Sequence, residues 1–250
     1  ALPICTKNIV NLMNLDAADW GITPTHWQRS VHPKVYQPRI SVLHEGIDTA
    51  RVAPDDTVQM TVGKDRHVLR KGDPVITYVA RNFEHYRGFH HFMRAAKIIL
   101  DERPDAHIIA VGADDVSYGR RAPQGTTFRK LMTQEVQPDT SRLHFAGQVP
   151  YDHFLKILQI SSAHLYLTVP FVLSWSMLES MSAGCLVLGS DTAPVREVLE
   201  DGRNGVLVDF FSPEDIARKA LDALARPDDY VPMRRAARQT ILDRFDLQKL

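Results

Sequence analysis

The residues best suited to chemistry in this sequence are two arginines that follow one apolar run. Arg81 comes directly after the run PVITYVA, and Arg87 lies where the next helical stretch begins. Two guanidinium groups beside a helix N-terminus can each fork onto phosphate oxygens, so this placement favours a clamp for a diphosphate. The alternative is one surface arginine and one arginine paired with Glu84. The spacing alone does not decide between the two.

Glu179 is a single carboxylate in the apolar and hydroxyl-rich segment TVPFVLSWSMLESMSAGCLVLGS. Ser174 or Ser176 can cap the helix predicted here, and Ser176 with Glu179 matches the spacing of a capping box, in which the glutamate serves the helix backbone. The other interpretation is that Glu179 faces a crevice and offers its two oxygens to the vicinal diol of a ribose. Spacing alone favours the capping box.

Two further clusters contain histidines or aspartates, which bind metal ions or transfer protons in many proteins. His85, His90 and His91 match no strong metal-ligand spacing, so they are expected to be solvated or structural. Asp114 and Asp115 are neighbours in a loop, where aspartates usually cap turns or contact solvent. We therefore predict no metal site.

Composition disfavours several classes of protein. The 250 residues are 44% hydrophobic and 24% charged with a formal net charge of zero, which argues against a nucleic-acid partner. No apolar run approaches the ~18 residues of a membrane span, and the first residues do not form a signal peptide. Cys5 and Cys185 are the only cysteines, and Cys185 is expected to be a small buried side chain. Because nothing suggests disulfides, a cytoplasmic compartment is expected. The start without Met suggests a fragment.

The elements that position these residues follow from the alternation of apolar runs and helical stretches. Strands are predicted at 74–80, 106–112, 143–147, 163–169, 185–190 and 205–210, and helices at 86–104, 126–136, 151–161, 174–184, 213–225 and 230–244. Near-continuous Val, Ile and Leu strands that alternate with helices are typical of a parallel sheet covered on both faces. The predicted fold is a doubly wound, Rossmann-like α/β sheet.

This alternation begins only after the first part of the chain. Residues 1–37 contain the short strand-like GIT and a passage interrupted by prolines, so we predict the remnant of a preceding domain and an interdomain linker there. Residues 38–250 form the predicted α/β domain. Residues 65–73 are predicted to form a hairpin or loop before the first core strand.

Ligands of open parallel sheets bind beyond the carboxyl ends of the strands. At one such end, Val149, Pro150 and Tyr151 turn the chain from a strand into a helix. They are candidates for one wall of a base pocket, although strand–Gly–Pro–helix turns are common.

Four segments together resemble the C-terminal, nucleotide-sugar-binding domain of the group 1 retaining glycosyltransferases of the GT-B fold. In chain order they are Arg81 with Arg87-Gly88, Phe145-x-Gly147-x-Val149, LSWSMLESMSAGCLVLGSD and VREVLEDGRNGVLV. The resemblance covers residues 38–245. The earlier passage GITPTHWQRS…RISVLHEGID is similar to the family's connection between its two domains.

The resemblance implies a role for each matching residue. Arg81 and Arg87 would contact the donor diphosphate, with Arg87 standing where the family usually has Lys, and Glu179 would contact the ribose. Phe171 stands at the first glutamate of the family's Glu-x7-Glu motif, close to the donor sugar. Backbone amides from Ser174 to Met177 would hold a phosphate or sugar oxygen. The implied donor-sugar and phosphate loop comprises Phe171, Val172, Leu173, Ser174, Trp175 and Ser176.

The resemblance also implies a function: retaining, metal-independent transfer of a hexose-type sugar from a nucleotide-diphosphate sugar, with no cofactor. The acceptor would be a sugar or a lipid-linked molecule, held with the main catalytic groups by an N-terminal domain. Surface polysaccharide or lipopolysaccharide synthesis is the expected pathway, in the cytoplasm or at the inner face of the membrane. The fragment alone is expected to bind donor and transfer little.

Two alternatives remain at this point. The first is a non-catalytic nucleotide-sugar-binding module that lost its chemistry together with the first glutamate. The second is a nucleotide-sugar epimerase of the same fold or an NAD-dependent enzyme. The NAD-dependent enzyme is disfavoured because Ala80-Arg81-Asn82 stands where a G-x-G-x-x-G turn is required.

Overall fold

The computed structural model describes the backbone of residues 2–250 and the side chains of Thr6 and of residues 8–250. Its strands are β1 (Gly21–Thr23), β2 (Ile40–Val42), β3 (Gln59–Val62), β4 (His67–Arg70), β5 (Val75–Asn82), β6 (His107–Ala113), β7 (Leu143–Gly147), β8 (Ala163–Tyr166), β9 (Leu186–Ser190) and β10 (Val206–Val208).

The α-helices connect and flank these strands. They are α1 (Leu2–Ala17), α2 (His26–Ser30), α3 (Phe89–Glu102), α4 (Phe128–Val136), α5 (Tyr151–Ile160), α6 (Trp175–Ser182), α7 (Ala193–Arg196), α8 (Pro213–Ala225) and α9 (Val231–Arg244). Short 3-10 helices occupy Gln37–Arg39, His85–Arg87 and Pro227–Tyr230. No helix in this described part of the chain is long and apolar enough to cross a membrane.

The central sheet has six parallel strands in the order β10-β9-β8-β5-β6-β7. Successive side chains of a strand point to opposite faces, and here both faces are covered. On β5, Tyr78 packs with α3, α4 and α8 on one face, whereas Val75 packs with α5 and the β3–β4 hairpin on the other. Burial on both faces is why most residues of these strands are apolar.

Helix α3 shows how the sequence sets one of these layers. Its apolar residues recur at helical spacing, so that one stripe is buried against the sheet. Gly88 precedes the helix with a φ of 66°, and the helix ends before Arg103-Pro104, where proline disfavours a helical conformation. The buried stripe comprises Phe89, Phe92, Met93, Ala96, Ile99 and Leu100.

The strand order reverses between β5 and β8. From β5 the chain adds β6 and β7 on one side, and from β8 it adds β9 and β10 on the other. The helices that follow β5 and β8 therefore diverge, and a crevice opens between the carboxyl ends of these two strands. This reversal is the switch point of the sheet.

The predicted doubly wound sheet is confirmed, with each predicted strand and helix present. The hairpin is longer than predicted, since it starts at Gln59 rather than near residue 65. The strand GIT is present as β1 and pairs in parallel with β2. The boundary between residues 1–37 and 38–250 stays a prediction.

Helix α1 was not predicted. Its described apolar side chains Ile9, Val10 and Met13 lie on one side of the helix but are all exposed. The sequence contains this apolar side, but the prolines that follow the short segment favoured a linker over a helix.

Candidate functional site

Two hydrogen bonds join the chain across the switch point. The Val169 N–H donates to the Tyr86 carbonyl at 3.1 Å, and Arg87 Nη1 donates to Thr168 Oγ1 at 3.2 Å. The segment after β5 and the segment after β8 thus meet where ligands of such sheets bind. This crevice contains the candidate site.

Arg87 is fixed on several sides within the crevice. Its guanidinium carbon lies 5.1 Å from the centre of the Phe171 ring, and its backbone carbonyl accepts a hydrogen bond of 2.6 Å from the Tyr78 hydroxyl. Burial raises the pKa of Tyr78, so its hydroxyl stays a donor. The alternative in which one of the two arginines pairs with Glu84 does not hold among the described residues. The Glu84 carboxylate accepts instead from backbone N–H groups of the loop after β6.

Arg81 lies at the end of β5 with its side chain exposed. Its guanidinium forms no hydrogen bond or ion pair with the other residues that the structure describes. Arg81 is therefore a free cation at the mouth of the crevice, whereas Arg87 is held by its neighbours.

Glu179 is 6% exposed and lies a full turn inside α6. Its Oε1 accepts a hydrogen bond of 2.7 Å from the Tyr151 hydroxyl. Burial raises the pKa of Glu179, and the bond from Tyr151 acts in the opposite direction. The predicted capping box is wrong because α6 begins at Trp175 and Ser174 is the cap, its hydroxyl accepting from the Ser176 N–H. Glu179 is thus too far along the helix to serve the cap.

The predicted base wall and the predicted ribose carboxylate are brought together by the Tyr151–Glu179 bond. Tyr151 is 40% exposed, and the guanidinium carbon of Arg51 lies 4.5 Å from its ring centre. Pro150 caps α5. Val149 instead lines a cavity of about 680 Å³ between the β3–β4 hairpin and the edge strand β7. Glu179 forms no hydrogen bond with either arginine.

The predicted donor-sugar loop is divided among several environments. Phe171 and Val172 are half-buried, Leu173 is buried in the core, and the exposed Trp175 donates its indole N–H to Glu45 at 3.5 Å. The Ser174 N–H donates to the Tyr166 hydroxyl at 2.8 Å. The side chain of Leu173 therefore has no access to a ligand.

The backbone amides at the start of α6 are already largely paired. Besides Ser174, the N–H groups of Ser176 and Met177 bond to the cap residue, at 3.4 and 3.2 Å. The Trp175 N–H has no partner among the described residues. Of the amides predicted to hold a phosphate, that of Trp175 is the one unpaired in this conformation.

Sequence reasoning missed Tyr118, whose ring centre lies 4.8 Å from that of Phe171. Tyr118 belongs to the loop between β6 and α4, and no local pattern gives the path of such a loop. It also missed Thr168, the partner of Arg87. Thr168 lies inside the predicted strand 163–169, whereas β8 ends two residues before it, at Tyr166.

The other candidate clusters do not form a site. Burial, followed by the neighbouring histidines, lowers the pKa of His90 to about 3, so this imidazole is neutral. Asp114 forms an ion pair with Arg129, and Asp115 accepts from the Val116 N–H at 2.8 Å. Within the part of the chain that the structure describes, no three His, Cys, Asp or Glu side chains are arranged to hold a metal ion.

Comparison with curated proteins gives distant relatives. The chain is 26% identical over 219 residues to alpha-maltose-1-phosphate synthase of Mycolicibacterium smegmatis, covering 82% of this chain and 52% of the relative. It is 24% identical over 203 residues to D-inositol 3-phosphate glycosyltransferase of Streptomyces scabiei, covering 79% and 43%. The chain thus spans about half the length of the curated relatives it matches.

Solved structures share the fold. HepE of Anabaena, in complex with UDP and glucose, matches with a TM-score of 0.73 at 16% identity, over 95% of this chain and 64% of that one. Sucrose-phosphate synthase of Thermosynechococcus elongatus matches with a TM-score of 0.73 at 16% identity, over 98% and 58%. At this identity the similarity concerns the fold alone.

Two family models cover most of the sequence. The model of the glycosyl transferase family 4 group matches residues 1–52, and that of the glycosyl transferases group 1 matches residues 61–240. The second match contains the whole switch point, with both arginines, Phe171 and Glu179. The match and the architecture agree, and the chain belongs to the group 1 glycosyl transferases.

Proposed function

We propose that this protein binds a nucleotide-diphosphate sugar at the switch point and serves the retaining transfer of a hexose-type sugar to an acceptor. The observation that carries the proposal is the position of Arg81 and Arg87, at the carboxyl end of β5 where the strand order reverses. HepE, which shares this fold, has been solved with UDP and with UDP-glucose. Uridine diphosphate is therefore the first candidate donor nucleotide.

In this proposal, the two arginines stabilise the leaving group. Negative charge develops on the diphosphate as its bond to the sugar breaks, and guanidinium groups beside the diphosphate stabilise that charge. Arg87 is already oriented by Thr168 and Phe171, whereas Arg81 is free to close onto the ligand. The dipole of α3, which starts beside Arg87, acts in the same sense. Metal-independent transfer is proposed on this basis.

Glu179 and Tyr151 serve the nucleoside in the same proposal. The Tyr151 hydroxyl occupies Oε1 of Glu179, which leaves Oε2 to accept from a ribose hydroxyl. Burial raises the pKa of Glu179, whereas each hydroxyl group that donates a hydrogen bond to the carboxylate lowers it. A ribose hydroxyl in addition to Tyr151 would therefore favour the charged form of Glu179.

We also propose the acceptor and the location. The acceptor is a sugar or a lipid-linked molecule of surface polysaccharide or lipopolysaccharide synthesis, bound through a preceding domain of which residues 1–37 are a remnant. Cytoplasmic location, with or without contact with the inner face of the membrane, stays a prediction. The 250-residue chain is expected to bind donor and to transfer little sugar by itself.

A second candidate function is a nucleotide-sugar-binding module without catalysis. It is favoured by one observation, the apolar Phe171 at a position where the family resemblance implies a carboxylate. A longer form of the protein that binds donor tightly but never transfers the sugar would support this module.

Calorimetric titration of the chain with UDP, GDP and ADP tests the proposed site. We expect one nucleotide to bind, and Arg81→Gln to weaken it roughly 10- to 100-fold through the loss of charged hydrogen bonds. Glu179→Gln should also weaken nucleotide binding, because it replaces the carboxylate that accepts a hydrogen bond from a ribose hydroxyl in this proposal. Arg226→Gln is the matched control, since Arg226 is an exposed arginine at the end of α8 paired with Asp222. Absence of binding by the unchanged chain, or equal losses in Arg81→Gln and Arg226→Gln, would refute the proposed site.

A further inference from the structure

Three side chains from three distant segments meet at one side of the switch point. The Phe171 ring, after β8, lies 4.8 Å from the Tyr118 ring in the loop after β6, with the ring planes inclined by 56°. The Arg87 guanidinium, before α3, lies 5.1 Å from the centre of the same Phe171 ring. Phe171 and Tyr118 are called the aromatic wall below.

The loop that carries Tyr118 is anchored by buried polar groups. Glu84 is 1% exposed, and its Oε2 accepts from the Tyr118 N–H at 3.1 Å and from the Gly119 N–H at 2.9 Å. Asn82 donates to Ser117 Oγ at 2.6 Å in the same loop. A buried carboxylate without such donors would be costly, so these bonds hold the loop firmly against the end of β5.

The backbone of Tyr118 is held by these bonds, but Tyr118 is not buried in the core. Its exposed fraction is 52%. Phe171 is half-buried. Two partly exposed aromatic rings held in contact beside a cation offer a ligand a rigid apolar surface, and ligand pockets commonly combine such surfaces with a few polar groups.

The electrostatics of the wall also favour a ligand that is apolar on one side and anionic on the other. Arg87 forms no ion pair with a carboxylate of the described chain; its guanidinium carbon lies over the Phe171 ring, and it bonds to the hydroxyl groups of Thr168 and Tyr166. These neutral partners leave its positive charge unpaired. The N–H groups of Arg87 that they do not occupy are left for an anion next to the wall.

We propose that Phe171 and Tyr118 form the surface against which the sugar of the donor packs, an inference that rests on the proposed function. A diphosphate bound to Arg87 lies beside the wall, because the wall contacts that guanidinium. Its two substituents are the nucleoside, assigned to Glu179 and Tyr151, and the sugar, which is left for the wall. The ligand class is a nucleotide-diphosphate sugar recognised by the C–H face of its ring.

This mode of recognition has a consequence for specificity. A carboxylate at the position of Phe171 would bond to a sugar hydroxyl and reject donors that lack it, typically by more than 100-fold. An aromatic ring forms no such hydrogen bond, because it packs against C–H groups. Donors that differ only in a hydroxyl outside the packed C–H face should therefore bind within roughly 10-fold of each other.

Calorimetry with the bare nucleoside diphosphate and with its glucose conjugate measures the contribution of the sugar to binding. It is the dissociation constant of the bare diphosphate divided by that of the conjugate. We expect Phe171→Leu and Tyr118→Leu each to reduce this ratio roughly 5-fold or more, and Phe171→Tyr to preserve it, since stacking on a ring face is lost only in the first two. Phe211→Leu is the matched control, because Phe211 is a 75% exposed phenylalanine beyond β10.

Each outcome bears on one of the two proposals. An unchanged ratio in both leucine variants, with the nucleoside diphosphate still bound, overturns the aromatic wall and leaves the proposed function intact. Tyr118→Leu alone suffices if Phe171→Leu does not fold, because Tyr118 is an exposed side chain. Failure of the unchanged chain to bind any of the nucleoside diphosphates overturns the proposed function and this inference with it.

Discussion

His164 should make the stability of the fold depend on pH. This side chain is fully buried in β8, in the interior of the sheet, and its Nε2 has no hydrogen-bond partner. Its Nδ1 lies 2.9 Å from Thr77 Oγ1, which in turn lies 2.8 Å from Ser161 Oγ. Burial lowers the pKa of His164 from 6.5 to about 3. The folded protein therefore keeps this imidazole neutral where the unfolded chain would protonate it.

The sign and size of the effect follow from linkage. Because the pKa is lower in the folded state, the unfolded chain binds the additional proton as pH falls below 6.5, and stability is lost from there down to about pH 3. Each pH unit below the unfolded pKa lowers the free energy of unfolding by about 1.36 kcal/mol. At pH 5, about 1.5 units below that pKa, the loss is therefore about 2 kcal/mol. Above about pH 7.5 the contribution to pH dependence vanishes.

Urea unfolding at about pH 7.5 and about pH 5 measures this loss for the unchanged chain and for His164→Asn. The variant removes the titrating group, so between the two pH values the unchanged chain should lose about 2 kcal/mol more than His164→Asn. His153→Asn is the matched control, because it makes the same replacement at a histidine that is exposed on α5. Equal losses in all three proteins would refute the reasoning.

Two further predictions concern packing. Gly88→Ala should destabilise the fold by about 2–4 kcal/mol in urea unfolding, because φ is 66° and a Cβ would lie 2.7 Å from Leu167 and 2.9 Å from Phe210. At Gly72, φ is 98° and a Cβ would have no atom within 4 Å, so Gly72→Ala should lose only the stability that the left-handed backbone conformation costs alanine. Equal losses of stability in Gly72→Ala and Gly88→Ala would contradict the argument that the Cβ of the second variant clashes. Burial raises the pKa of Cys185 to about 11, so peptide mapping after iodoacetamide treatment should find it modified only in unfolded protein. Modification at the same rate in folded protein would contradict this.

The sheet could be predicted from the sequence because its signals are local. Runs such as PVITYVA and CLVLGS are apolar at most positions, which is typical of a strand covered on both faces. The same pattern indicated that Arg81 lies near the end of this strand and Arg87 near the start of the next helix; β5 runs two residues past the apolar run, to Asn82, and α3 begins at Phe89. Cys185 was correctly expected to be buried for the same reason.

The cap of α6 and the contact between Tyr118 and Phe171 were not predicted, because both depend on residues that are distant in the sequence or on the path of the chain outside the helix. Ser174 and Ser176 both suit a helix cap, and which serves is decided by where the chain leaves the core: Leu173 is buried, so α6 starts directly after Ser174. The contact between Tyr118 and Phe171 depends on a loop path set by the distant Glu84. Neither is visible in hydrophobic periodicity.

The bond from Arg87 to Thr168 also bears on the order in which the molecule folds. It joins residues 81 positions apart, and the neighbouring bond from Val169 to Tyr86 closes a loop of similar length. Contacts of such long sequence separation form late, because the chain entropy of closing the loop must be overcome first. A nascent chain that ends after β7 would carry both arginines but have no Thr168 to orient Arg87. Nucleotide binding should therefore report completed folding, and a nucleotide present during refolding should stabilise the finished domain rather than speed its early steps.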